Sequence, residues 1–114
     1  MGNNIEKRRH PRVEVSWPIK IYLDNEVIDG EVSNISAEGI YISCEKPLRI
    51  SDTFRISIAP PHHQTIGVTG KAVWSDLYGL DKDESVHGVG ICLLEIADKD
   101  RHFLNNLISD SITL

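Results

Sequence analysis

Four cationic side chains lie within six residues, between Lys7 and Arg12. An arginine guanidinium group can bind an anion such as phosphate through paired, charge-assisted hydrogen bonds. The chain holds 12 basic and 17 acidic residues, and without these four cations 8 basic residues face 17 acidic ones. A basic segment therefore precedes an acidic body, which indicates a segment that binds anions.

The conformation of this segment follows from its proline. Pro11 fixes its own φ and disfavours helix at His10, so residues 1–12 are predicted to form a flexible arm that is extended or turned. On an extended chain Arg8 and Arg12 lie on the same face, and Arg9 points elsewhere unless a turn brings it round. A mobile leader that only keeps the chain soluble is the alternative interpretation.

Apolar and polar residues alternate along most of the remaining chain, which predicts β-strands. The predicted strands cover residues 13–23, 26–33, 40–44, 53–59, 66–74 and 88–95. From Ala97 the apolar spacing changes to i, i+3, i+4, which predicts a helix at about 98–109. Since no βαβ rhythm is present, residues 13–114 are predicted to form one mostly β domain, a small six-stranded antiparallel barrel with a C-terminal helix.

Two stretches within this pattern carry candidate site residues. The stretch from Asn34 to Gly39 interrupts the alternation with residues that favour turns and local side chain to backbone hydrogen bonds, so we expect a turn. Trp74 ends an alternating run that includes Ile66 and Val68, and packing in the core is the first expectation. At the rim of the barrel its indole would instead offer a stacking surface for a base.

The sequence lacks the residue patterns typical of a metal site, an enzyme active site or a membrane span. Cys44 and Cys92 are far apart, and His62 and His63 point opposite ways on an extended chain, so neither pair predicts a metal site. No nucleophile stands in a recognisable constellation with a base and an orienting group, so the chain is predicted not to be an enzyme. No apolar run reaches the length of a membrane span or forms a leader, and we expect a cytoplasmic protein without membrane insertion.

Two motifs together resemble those of PilZ domains, bacterial receptors for the second messenger cyclic di-GMP. Arg8 and Arg12 match the pattern RxxxR, and Asn34, Ser36 and Gly39 match [D/N]xSxxG. The resemblance implies a split-barrel type of β-barrel that binds this nucleotide and needs no cofactor. It implies the following ligand-binding residues: Arg8, Arg9, Arg12, Asn34, Ser36 and Gly39.

We expect a mechanism in which the arm orders over the ligand and the signal passes to a separate effector protein, which the sequence does not identify. Lys7 and Trp74 are possible additional contacts. A flexible cation at Lys7 would offset phosphate charge if two ligand molecules bound as a stacked pair, and we expect two per protomer. The main alternative is an adaptor that acts by protein–protein interaction without binding the nucleotide. A nucleic-acid-binding barrel is disfavoured because the body is acidic and lacks an aromatic platform.

Overall fold

A computed structural model of the protein describes residues 12–75 and 87–112. The predicted arm up to Pro11, with Lys7, Arg8 and Arg9, lies outside the described residues. So does most of the loop expected before the last strand.

Six strands follow one another along the described chain and are followed by a helix. They are β1 Val13–Tyr22, β2 Val27–Ser36, β3 Gly39–Cys44, β4 Thr53–Ile58, β5 Ile66–Ser75 and β6 His87–Ile96, with α1 spanning Asp98–Ile112. The strands form a closed barrel in the order β1-β2-β3-β6-β5-β4, and every neighbouring pair is antiparallel. The predicted fold class is thereby confirmed.

The barrel interior is filled mainly by β-branched side chains, which suit a pleated, half-buried surface. In β1 the alternation predicted from the sequence is present, since Trp17, Ile19 and Ile21 are buried between exposed neighbours. Side chains that are completely or almost completely buried include Ile21, Ile42, Ile56, Ile66, Val68 and Val89. Burying such a side chain contributes about 1.5–3 kcal/mol, so this interior is the main source of stability.

Helix α1 is held by an apolar face that packs against β1 and β2. Leu104 and Ile108 are buried in the same core as the strands. The ring of Phe103 lies between two aromatic groups, with ring centroids 6.1 Å from Trp17 and 3.8 Å from His63. Within residues 12–75 and 87–112, no helix has both the length and the apolar character needed to cross a bilayer.

Candidate functional site

A groove of about 730 Å³ lies on the outer surface of the barrel and is called the site groove below. Strands β2, β3, β5 and β6 contribute to its lining, together with the residue that precedes β1. The lining residues are Arg12, Asn34, Ser36, Glu38, Gly39, Ile40, Tyr41, Val73, Trp74, Gly90, Ile91 and Cys92.

Five of the predicted site residues meet in this groove although they are far apart in the sequence. They are Arg12, Asn34, Ser36, Gly39 and Trp74. Closure of the barrel accounts for this, because β6 lies between β3 and β5 and brings the Asn34–Gly39 motif near the end of β5. Lys7, Arg8 and Arg9 belong to the arm outside the described residues, and their roles remain predictions.

A β-bulge at Ser33 turns the motif outward. Val32 pairs with Ile42 and Asn34 pairs with Tyr41, so Ser33 is an extra residue on β2. The Ser33 hydroxyl donates to the Tyr41 carbonyl at 3.3 Å. Without the extra residue, strict alternation from buried Val32 would direct Asn34 into the core. Bulges commonly re-aim side chains beside functional sites, and this one directs Asn34 and Ser36 into the site groove.

The turn expected over the whole motif is shorter than predicted. Asn34–Ser36 continue β2, Gly39 already belongs to β3, and the turn comprises only Ala37 and Glu38. The expectation was wrong because Ile35 is buried and pairs with both neighbouring strands, which holds this segment in the sheet. The Ser36 hydroxyl accepts a hydrogen bond from the Glu38 amide at 3.2 Å, which orders the turn.

Gly39 is required by the close approach of two strands. No described glycine has a positive φ, so the left-handed conformation is not the reason for this residue. A Cβ at position 39 would overlap the Ile91 carbonyl oxygen and lie 3.2 Å from Cys92 Cα. Only glycine therefore lets β3 meet β6 at the edge of the site groove.

A second bulge places Trp74 at the surface, so the expectation of core packing was wrong. Ala72 pairs with Ile91 and Trp74 pairs with Gly90, which makes Val73 the extra residue on β5. The bulge reverses the alternation after buried Ala72, and Trp74 is 53% exposed. The indole therefore occupies the rim position that the sequence left open as an alternative.

Tyr41, Gly90 and Cys92 also line the site groove, although no motif marks them in the sequence. Each faces outward on β3 or β6, since Ile40, Ile42, Val89 and Ile91 on alternate positions are buried. The apolar and polar alternation along β3 and β6 is the sequence signal that could have placed these three residues on the outer face. The pairing of β3 with β6 that brings the three residues together is a long-range contact that local patterns do not carry.

The described lining of the site groove carries one cationic and one anionic side chain, Arg12 and Glu38. These two charges balance, so a ligand with two negative charges would need further cations, which the preceding Lys7–Arg9 segment can supply.

A second, acidic groove of about 480 Å³ is far less suited to an anion because Asp29, Glu31 and Glu45 line it. Lys20 Nζ donates a hydrogen bond to Asp29 Oδ1 at 2.9 Å. This hydrogen bond and the charge of the carboxylate raise the pKa of Lys20 above its usual value. Glu31 accepts a hydrogen bond from Ser16. In the described part of the chain, no cluster of His, Cys, Asp and Glu side chains is arranged to hold a metal ion.

Comparison with known proteins agrees with this architecture. The sequence model of the PilZ domain family matches residues 6–110. No match was found among curated proteins.

Solved structures with low sequence identity share the fold. The Bacillus subtilis inhibitor of motility MotI (DgrA) is 19% identical with a TM-score of 0.74, and the match covers 91% of this chain but 50% of that one. The PilZ domain of Escherichia coli YcgR with c-di-GMP is 14% identical with a TM-score of 0.71, covering 91% and 90% of the two chains. A YcgR chain in complex with c-di-GMP is 13% identical with a TM-score of 0.72, covering 91% and 45%. This chain thus spans about half the length of MotI.

Proposed function

Because the chain belongs to the PilZ domain family, we propose that it binds cyclic di-GMP in the site groove and passes the signal to a separate protein. The observation that carries this proposal is the meeting of Arg12, Asn34, Ser36 and Trp74 in one groove. A guanidinium group, an amide, a hydroxyl and an exposed indole together match the chemistry of a guanine dinucleotide.

Each of these four side chains has a distinct role in the proposed binding of the ligand. Arg12 grips a phosphate or the O6 and N7 acceptors of guanine and can stack on the purine plane. The Asn34 carbonyl oxygen accepts guanine N–H groups without adding a charge beside an anion. The Ser36 hydroxyl, which already accepts from the Glu38 amide, retains its own proton to donate to the ligand. Trp74 stacks on a base.

The arm supplies the remaining positive charge. Arg12 lies four positions after Arg8, and this length of chain spans at most about 14 Å in any conformation. Arg8 and Arg9 can therefore reach a ligand that Arg12 contacts. Lys7 would serve a second, stacked ligand molecule if two are bound, which stays a prediction.

Signal transfer is proposed to result from ordering of the arm. Fixing the backbone of one residue costs about 1–2 kcal/mol, so charge-assisted hydrogen bonds to the ligand must exceed this cost. Arm and ligand then form a surface that exists only in the bound state. We propose that a separate effector protein recognises this surface.

We expect cyclic di-GMP to protect Cys92 from alkylation. This half-buried thiol lines the site groove, and a bound nucleotide would cover it. Iodoacetamide should label Cys92 first, and saturating cyclic di-GMP should slow that reaction by about tenfold or more, since the reagent needs an exposed thiolate. Mass spectrometry of peptides containing Cys92 measures the rate. Cyclic di-AMP and GMP at the same concentration should protect far less.

Cys44 provides the internal control for this experiment. It is 2% exposed, its thiol donates to the Lys46 carbonyl at 3.2 Å, and burial raises its pKa. A raised pKa leaves less thiolate at a given pH, so Cys44 should react slowly with or without ligand. Protection of both cysteines alike would indicate global stabilisation, and no protection of Cys92 would contradict binding in the site groove.

A further inference from the structure

Tyr41 and Trp74 meet across a glycine of the strand that separates them. Tyr41 of β3 and Trp74 of β5 both pair with Gly90 of β6. Their ring centroids are 5.7 Å apart and the ring planes are inclined by 46°. The two rings therefore come into contact above Gly90 and form one wall of the site groove.

A second glycine leaves room for the Tyr41 ring. The ring extends along β6, and a Cβ at Gly88 would overlap the Tyr41 hydroxyl group. A Cβ at Gly90 would instead lie 3.4 Å from Trp74 Cβ, which is ordinary van der Waals contact. Gly88 is therefore the position whose missing side chain determines where the tyrosine lies.

We propose that Tyr41 is a positioning residue that fixes the orientation of the Trp74 indole for stacking on a guanine base, an inference that rests on the proposed function. Trp74 is 53% exposed and follows a bulge, so backbone pairing alone leaves its side chain free to change rotamer. Contact with the tyrosine ring restricts those rotamers before the ligand arrives. Less conformational freedom is then lost on binding, which raises affinity without a new ligand contact.

A double-mutant cycle with cyclic di-GMP titrations tests this role. Trp74→Ala should weaken binding by about tenfold or more, the usual effect of losing one stacked base. Tyr41→Leu should weaken it by roughly fivefold, as expected for an aromatic pair. In the Trp74→Ala background, Tyr41→Leu should change affinity by less than about twofold, because a residue acting through Trp74 has no separate effect. Additive effects would overturn the proposal and make Tyr41 a ligand contact of its own.

Three further variants separate positioning from general packing. Tyr41→Phe keeps the ring and should retain affinity, whereas Gly88→Ala displaces the ring and should behave like Tyr41→Leu. Gly67→Ala adds the same methyl group on β5 outside the site groove, so it is the matched control and should bind like the wild type.

Tryptophan fluorescence provides a second measurement of the same variants. The signal is the change in emission caused by the ligand, and the change measured in Trp74→Phe is subtracted from it to remove the contribution of Trp17. This signal should be reduced in Tyr41→Leu and Gly88→Ala but not in Gly67→Ala. If cyclic di-GMP binds the wild type and Trp74→Ala weakens binding while Tyr41→Leu has no effect, the positioning role fails and the proposed function stands. If the wild type binds no cyclic di-GMP, the proposed function fails first.

Discussion

Replacing Arg12 by alanine is expected to weaken cyclic di-GMP binding by roughly 100-fold, because truncating one partner of a ligand-covered charge pair costs about 2–5 kcal/mol, and each 1.4 kcal/mol is about tenfold. Arg12 supplies the one cationic side chain in the described lining of the site groove. Without it, Glu38 would leave that lining with a net negative charge facing a dianion. Isothermal titration of the purified variant measures the loss.

Two variants serve as controls for the Arg12→Ala result. Arg12→Lys keeps the charge but loses the planar guanidinium group, so it should recover only part of the affinity. Arg49→Ala removes an arginine from an exposed loop position that does not line the site groove, and it should bind normally. Equal losses for Arg12→Ala and Arg49→Ala would show that net charge alone drives binding. An unchanged affinity in Arg12→Ala would remove Arg12 from the proposed site.

Replacing Gly39 by alanine is expected to lower the free energy of unfolding by about 3 kcal/mol or more, since overpacking against backbone leaves little room for relaxation. The added Cβ would overlap the Ile91 carbonyl oxygen, so β3 and β6 would have to separate where they pair. The same separation would distort the turn at Ser36 and weaken ligand binding. Thermal and urea unfolding of the variant measure the loss of stability.

Gly67→Ala is the control for this experiment because it places the same methyl group in another strand. A Cβ at Gly67 would lie 3.3 Å from Arg55 Nη2, the end of a flexible side chain that can move aside. Stability should change by less than about 1 kcal/mol, since alanine also restricts the unfolded chain. If Gly39→Ala unfolds at the same urea concentration as Gly67→Ala, the close approach of β3 and β6 is not a constraint on this fold.

The sequence predicted the strands well because alternation is a local property. In β1 the buried residues follow the two-residue period without interruption, and the inner face could be predicted residue by residue. The helix was equally clear in type, although it extends to Ile112 and the prediction ended near 109. Boundaries of this kind depend on packing and fraying rather than on local pattern.

The bulges at Ser33 and Val73 could not be predicted from the local sequence pattern. Each inserts one residue and reverses the inward and outward assignment of everything that follows in its strand. Asn34 was consequently assigned to a turn and Trp74 to the core, whereas both side chains line the site groove. In both places the alternation of the sequence was misleading because a bulge turns a residue of the site groove outward.

The full set of residues that line the site groove depends on which strands pair, and local sequence patterns do not reveal that pairing. The two motifs supplied Arg12, Asn34, Ser36 and Gly39, but Tyr41 and Cys92 join them only because β3 and β5 flank β6. Tyr41 and Trp74 are 33 positions apart in the sequence, and their contact follows from shared pairing with Gly90. Groove residues that belong to a motif could therefore be predicted from the sequence, and those that strand pairing brings into the groove could not.

Isothermal titration of the wild-type protein with cyclic di-GMP, beside cyclic di-AMP and GMP, shows whether this chain binds the nucleotide selectively. We predict selective, saturable binding at micromolar concentration or tighter, with two ligand molecules per protomer if Lys7 relieves the charge of a stacked pair. Saturation at one ligand would overturn the role of Lys7 and leave the receptor intact. Absence of heat together with absence of binding in equilibrium dialysis would rule out a cyclic di-GMP receptor and leave an adaptor that acts through protein–protein contacts.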